Sequence, residues 1–267
     1  PTLLLDQTGV IMAWHLPGVL SEEFQVGFQH LLSICIFLLT PGRGTVSWKT
    51  QEDLFIESCI RGTIELSPAW YQQGQVPYRH HPEGSAILKG SHADPGPWKW
   101  LRAGALQNAI LSATLMVMHP DLYASWRETF LKLASSTQDE DMQQIILEWS
   151  MVYSVVSVIV NRATPFHRDL SCQVQWLDML ETIGGDPYLY IELENLRVRL
   201  ACSPGTVVSL SGKVLQHGVP ASVSDQFCLA YHMRDNVQEG VGVHRCDWVK
   251  QGELPILLQQ FALSMTN

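Results

Sequence analysis

The hydrophobic pattern changes character near residue 150. From 151 to 160 the chain reads MVYSVVSVIV, an apolar, largely β-branched run that suits a strand buried on both faces. After it come short apolar or alternating segments at 174–183, 188–193, 197–201, 206–210, 214–217 and 227–233. Most are separated by strong turn signals: Gly184-Gly185-Asp186-Pro187, Ser203-Pro204-Gly205 and Ser211-Gly212-Lys213. Closely spaced short strands of this kind predict a sandwich or barrel.

The first 150 residues carry mainly helical patterning. Residues 2–15 predict a β-hairpin turning at Asp6-Gln7-Thr8-Gly9. Residues 21–37 predict a helix with Ser21 as N-cap. Residues 100–118 predict one helix, 120–135 a second with Pro120 in its first turn, and 139–150 a third leading straight into the 151 strand. The expected fold is α+β: a double-stranded β-helix of jelly-roll or cupin type, with the preceding helices packed on its outer face. No linker or internal repeat stands out, so 1–267 is expected to be one domain: 1–150 mainly helical, 151–240 the jelly-roll core, and 241–267 a C-terminal extension.

Within the strand region one pattern carries chemistry. His167 and Asp169 are two residues apart, so on a strand they share a face. His217 comes forty-eight residues after the aspartate, a gap that holds several strands and lets the chain return. Two imidazoles and one carboxylate are the donor set of a facial Fe(II) triad with open coordination positions. In the sequence PGTVVSLSGKVLQHGV, Pro-Gly starts a strand, Ser-Gly turns it, and the next strand is expected to end on His217.

Composition adds limits. With 46% hydrophobic residues and nine tryptophans, the chain has material for a sizeable core. Its six cysteines show no metal-binding spacing and suit reduced thiols inside a cell. The apolar run at 31–40 is too short to cross a bilayer and predicts a buried element. No membrane partner and a monomer are expected. Net charge is −9, which opposes loose binding to nucleic acid. Against that trend, residues 76–103 are net positive, with Arg79, Lys89, Lys99 and Arg102 against Glu83 and Asp94, and with tryptophans and histidines interspersed. Such a stretch is either a DNA-backbone contact or an ordinary polar surface loop. The adjacent pair His80-His81 reads as surface, because neighbours on an extended chain point apart.

TPFHRD, QWLDML, SPGTVVSLSGKVLQHGV and CLAYHMRDNV together resemble the oxygenase core of the fungal TET/JBP-like family, over roughly residues 153–236. The resemblance implies an Fe(II)- and 2-oxoglutarate-dependent dioxygenase that oxidises the methyl group of a methylated DNA base. 5-Methylcytosine is the usual substrate and N6-methyladenine a further one, so that the reaction leads to DNA demethylation. It implies His167, Asp169 and His217 as iron ligands, methylated DNA as partner, and the nucleus as the place of action. Two rival readings stay open: a dioxygenase acting on a small molecule or protein side chain, and a non-catalytic cupin-like binding protein.

One departure bears on the co-substrate. Where the family carries an arginine for the distal carboxylate of 2-oxoglutarate, this chain has Gln226, which cannot form a charged bidentate pair. On an ideal strand 226, 228, 230, 232 and 234 share a face. Arg234 is therefore either the replacement cation or a solvated strand-end arginine paired with Asp235, with Arg162 and Arg168 next in line. Cys228 shares that face, and Asn161 is a further candidate, as a co-substrate ligand or as a backbone clamp. Asp178 is taken as a residue near the mouth that could read a base edge, and His232 as either a pocket residue or a satisfied barrel histidine.

Overall fold

The computed structural model describes residues 1–26, 39, 47–89 and 96–265. Eleven strands are described: β1 (Thr2–Leu5), β2 (Ile11–Leu16), β3 (Gly62–Leu66), β4 (Val155–Val160), β5 (Thr164–His167), β6 (Asp178–Gly184), β7 (Tyr190–Leu193), β8 (Val198–Ala201), β9 (Val207–Leu210), β10 (His217–Val219) and β11 (Gln226–His232). They form a seven-stranded sheet, in the order β1-β2-β9-β6-β11-β4-β3, and a four-stranded sheet, in the order β5-β10-β7-β8. Every described strand pairing with a defined register is antiparallel.

The chain divides into two compact units. One comprises 1–2, 13–66 and 155–232 and holds both sheets apart from residues 3–12 of the first hairpin. Its strand interiors follow from the sequence. β4 is buried along almost its whole length, as an apolar β-branched run in the middle of a sheet must be. β11 alternates: Phe227, Leu229 and Tyr231 are buried, whereas Cys228, Ala230 and His232 are half-buried on the opposite face.

The second unit comprises 3–12, 67–154 and 233–267. It contains the helices α1 (Ala86–Lys89), α2 (Gly96–Ala103), α3 (Ala105–Met118), α4 (Pro120–Ser136), α5 (Glu140–Glu148), α6 (Asp235–Gly240) and α7 (Leu254–Met265). Pro120 sits at the start of α4, where its missing N–H costs nothing. His119 caps α4 by accepting from the Leu122 N–H at 3.3 Å, and Asp139 caps α5 by accepting from Met142 N–H at 3.1 Å. Trp100, Leu111, Leu115, Trp126 and Ile145 form part of its core.

Several expectations shift. The hairpin at 2–15 forms, with its turn held by Asp6 accepting from the backbone of Thr8 and Val10. Ser21 caps a helical start over 22–26, and the rest of the expected 21–37 helix, like the apolar run at 31–40 apart from Leu39, lies outside the described residues. The single helix expected at 100–118 is two, α2 and α3, broken at Gly104. α5 does not lead directly into a strand: residues 149–154 intervene, and β4 begins at Val155, not 151. The front part adds a strand that the sequence did not predict: β3 joins the large sheet beside β4, while β2 comes from the expected hairpin. β3 escaped the sequence reading because GTIEL is short and its signal is weak.

Candidate metal centre

The His167, Asp169 and His217 triad is assembled by cross-strand pairing. β10 runs antiparallel to β5 with His217 directly opposite His167, and the imidazole centroids are 4.3 Å apart. Asp169 lies just beyond β5, where its N–H donates to the Gly212 carbonyl at 3.0 Å. The Ser211-Gly212-Lys213 turn thus fastens the aspartate's backbone and then feeds β10, which opens on His217. The histidine stands at the start of its strand and not at the end, because residues 213–215 stay in the turn.

Side-chain geometry completes the site. His167 Nε2 lies 3.6 Å from Asp169 Oδ1, and His217 Nε2 3.6 Å from Asp169 Oδ2. One ligand atom from each of the three residues lies within 4.8 Å of the others. Each imidazole uses its other nitrogen on a backbone carbonyl two residues earlier: His167 Nδ1 to Pro165 at 3.0 Å and His217 Nδ1 to Leu215 at 2.9 Å. A carbonyl only accepts, so both Nδ1 atoms carry the proton and both Nε2 lone pairs face Asp169. This outer arrangement is what orients histidines on a metal. Burial pushes the Asp169 carboxyl up, but the adjoining His167 and His217 outweigh it and hold the group at about 2. Burial, then the His167 ring, lowers His217, keeping it neutral. An ionised carboxylate is the form in which Asp169 can ligate a divalent cation.

The surroundings reveal what the sequence could not rank. His232 lies near enough to act electrostatically on Asp169. Trp48, just before the stretch 51–56, stacks on His167 with centroids 4.6 Å apart, and the Arg162 guanidinium lies 4.9 Å over the same indole. Arg162 is only 8% exposed. It donates from Nη1 to the Lys49 carbonyl at 3.0 Å, while its buried Nε has no partner among the described residues. Burial pulls its pKa down to about 10, opposed by Cys228 and Glu65, so it remains a cation at neutral pH. Gln226 is 6% exposed; its backbone is engaged with Asn161, but its amide makes no hydrogen bond to the described residues. Trp48 was not legible as a site residue, because nothing local in SWKT signals a contact with position 167.

Three expectations read differently in place. Arg234 does not extend the β11 face: the strand ends at His232, and Arg234 is the N-cap residue of α6, its guanidinium 5.3 Å over the Trp70 ring. Asn161 adopts a left-handed φ of 58° and is committed to the backbone, donating to the Ile60 carbonyl and Asp225 at 2.6 Å each and accepting from the Gln226 N–H at 2.7 Å. Its amide has no donor left for a co-substrate. Asp178 is 5% exposed at the start of β6 rather than at an open mouth. In the basic stretch, Lys89 pairs with Glu83 at 2.7 Å and Asp139 at 3.6 Å, and Arg102 pairs with Glu148 at 3.1 Å, whereas Arg79 and Lys99 are exposed. A separate cavity of about 600 Å³ is lined by Phe55, Glu57, Ser58, Cys59 and Arg61, and no triad residue lines it.

Residues 67–235, which include His167, Asp169 and His217, match the Tet_JBP family, described as the oxygenase domain of the 2OGFeDO superfamily. Among solved structures, the chain resembles NgTET1 in complex with 5mC DNA, with a TM-score of 0.58 and 16% identity over 95% of this chain and 83% of that one. It shares the double-stranded β-helix fold with that protein. A viral collagen prolyl hydroxylase from Paramecium bursaria Chlorella virus-1, solved with 2OG, aligns at 12% identity over 30% of this chain and 57% of its own, with a TM-score of 0.24. No curated protein matches the chain.

Proposed function

The chain belongs to the Tet_JBP oxygenase-domain family of Fe(II)- and 2-oxoglutarate-dependent dioxygenases, and from that premise we propose that it oxidises the methyl group of a methylated base in DNA, with 5-methylcytosine first and N6-methyladenine second. The observation that carries the reading is the preformed triad, with both Nε2 lone pairs and an ionised Asp169 facing one spot. The similarity to a protein solved on 5mC DNA supports DNA as the substrate class. The acting compartment would be the nucleus, and the expected functional unit is a monomer.

His167, Asp169 and His217 hold the iron. We assign the 2-oxoglutarate carboxylate to Arg162, assisted by the Gln226 amide: neither the buried Nε nor that amide has a hydrogen-bond acceptor among the described residues. Cys228, near Arg162 and on the same strand face as Gln226, lines that end. With dioxygen as the oxidant, iron and 2-oxoglutarate would supply the oxidising chemistry: one oxygen atom turns a methyl C–H into C–OH and the other enters succinate, as 2-oxoglutarate loses carbon dioxide. The chain's part is to hold the ligands, keep both imidazoles in one tautomer, exclude water with Trp48 and receive a base flipped from the duplex. Flipping costs a few kcal/mol, which the pocket must offset by stacking and hydrogen bonds. Exposed Arg79 and Lys99 are the DNA contacts we favour from the basic stretch.

The deciding experiment is mass spectrometry of nucleosides after incubating methylated duplex DNA with the protein, Fe(II), ascorbate and 2-oxoglutarate. Hydroxymethylated or further oxidised bases are expected. Succinate release driven only by a peptide or small molecule would move the substrate to that class. Failure to retain Fe(II) would leave a non-catalytic cupin-like binder.

A further inference from the structure

The segment 47–56 is a strap laid along the chain that leads into β5. Ile56 donates from its N–H to the Asn161 carbonyl at 2.9 Å, and Ala163 donates from its N–H to the Leu54 carbonyl at 2.7 Å. Between these bonds Phe55 faces Arg162 in an antiparallel bridge. The register of the strap against 161–163 is therefore fixed by backbone. At its start lies a single helical turn, Trp48–Thr50. The Ser47 hydroxyl closes that turn by accepting from the Lys49 N–H at 3.3 Å, and the Gln51 N–H donates to the Trp48 carbonyl at 3.3 Å. Arg162 Nη1 reaches back to the Lys49 carbonyl at 3.0 Å, so the turn is tied at both ends.

One indole on this turn meets two parts of the site. The Trp48 ring centroid is 4.6 Å from that of His167, with the planes tilted by 50°, and the His167 ring is in turn 4.3 Å from His217. The hydrogen bond from His167 Nδ1 to the Pro165 carbonyl pins one corner of the imidazole and leaves the ring able to swing about it. The indole blocks that swing. The Arg162 guanidinium lies 4.9 Å from the same indole centroid, inside the ~6 Å over which a ring face attracts a cation. Lys49, the other cation near the ring, is exposed and farther away at 5.9 Å. Arg162 is buried, and a cation–π contact strengthens as the cation is removed from water. The guanidinium thus has two restraints, the Lys49 carbonyl on Nη1 and the indole beneath its plane.

We propose that Trp48 is a positioning residue for both parts of the site: it fixes the ring plane of the iron ligand His167 and the direction in which the Arg162 guanidinium meets 2-oxoglutarate. The proposal rests on the iron and Arg162 assignments made above and not on methylated DNA as substrate, and the arms of the test separate its failure from theirs.

The test pairs anaerobic calorimetry of 2-oxoglutarate into Fe(II)-loaded protein with the d–d absorption of the Co(II)-loaded chain, which reports coordination geometry. Trp48→Leu is expected to weaken 2-oxoglutarate binding by about 3- to 30-fold, the range a cation–π contact spans, and to alter the Co(II) spectrum. Arg162→Gln is expected to weaken 2-oxoglutarate binding with the Co(II) spectrum unchanged. Combining the two should lose no more 2-oxoglutarate affinity than Arg162→Gln alone, because the contact that Trp48 supports is already gone. Trp48→Phe keeps an aromatic face and should stay within about threefold of the unmodified chain, with its Co(II) spectrum. Native values for either readout in a folded Trp48→Leu would overturn the proposal, as would additive losses in the double variant. So would a tenfold or larger loss in Trp48→Phe, an arm that decides the matter even if the leucine variant does not fold. Native 2-oxoglutarate affinity in Arg162→Gln would refute the Arg162 assignment itself, and the proposal with it.

Discussion

Replacing Arg162 with glutamine removes the buried cation while keeping most of the side chain's polar reach. In the structure that guanidinium spends one N–H on the Lys49 carbonyl and leaves Nε unpartnered among the described residues. A carboxylate arriving there gains a charge-assisted hydrogen bond worth about 1.5–3 kcal/mol. Each 1.4 kcal/mol is a factor of about ten in affinity, so Arg162→Gln should weaken 2-oxoglutarate binding by about ten- to a hundredfold. Fe(II) affinity should stay the same, because all three ligands and their backbone carbonyls are untouched. The assay is anaerobic calorimetry of 2-oxoglutarate into Fe(II)-loaded protein, with Arg234→Ala as the comparison. Arg234 caps α6 and lies over Trp70, so its removal should leave co-substrate affinity unchanged. If Arg234→Ala carries the loss and Arg162→Gln does not, the reasoning is refuted and the cation is the one the strand alternation first suggested.

Asp169→Ala should abolish turnover and retained iron, read by metal analysis after desalting; iron at native stoichiometry would sink the triad. Arg79→Ala with Lys99→Ala should flatten the salt dependence of DNA binding, by roughly 0.9 in slope per lost phosphate contact, whereas Lys89→Ala should not, since Lys89 is already held by Glu83 and Asp139. His119 sets a stability window. Burial lowers its pKa from 6.5 to about 4, so the unfolded chain takes up the proton first as pH falls. Stability should be full above pH 6.5 and decline toward pH 4, by about 2 kcal/mol between pH 7 and 5. Urea midpoints at those two pH values should converge more closely in His119→Asn, which retains a capping side chain; an identical decline in that variant would assign the acid sensitivity to other groups.

The sequence by itself determined the strand region and nominated His167, Asp169 and His217 as one donor set. Gly and Pro at the turns, the period-2 spacing of His167 and Asp169, and a histidine after Ser-Gly are local facts, and local facts survive folding. It also exposed the missing arginine at 226. What it could not decide was anything that depends on partners distant in the chain. The alternation that nominated Arg234 assumed that β11 continues past His232, and a strand's length is set by its neighbours β4 and β6 and not by its own residues. Asn161 could have faced a ligand or the backbone, and only its left-handed turn beside Gln226 settled its hydrogen bonds. Trp48 and Arg162 lie more than a hundred residues apart, as do Trp48 and His167, yet the indole touches both. Contacts of that kind belong to the tertiary structure, because the energy that fixes them is packing and desolvation shared among elements, which no single stretch of sequence encodes.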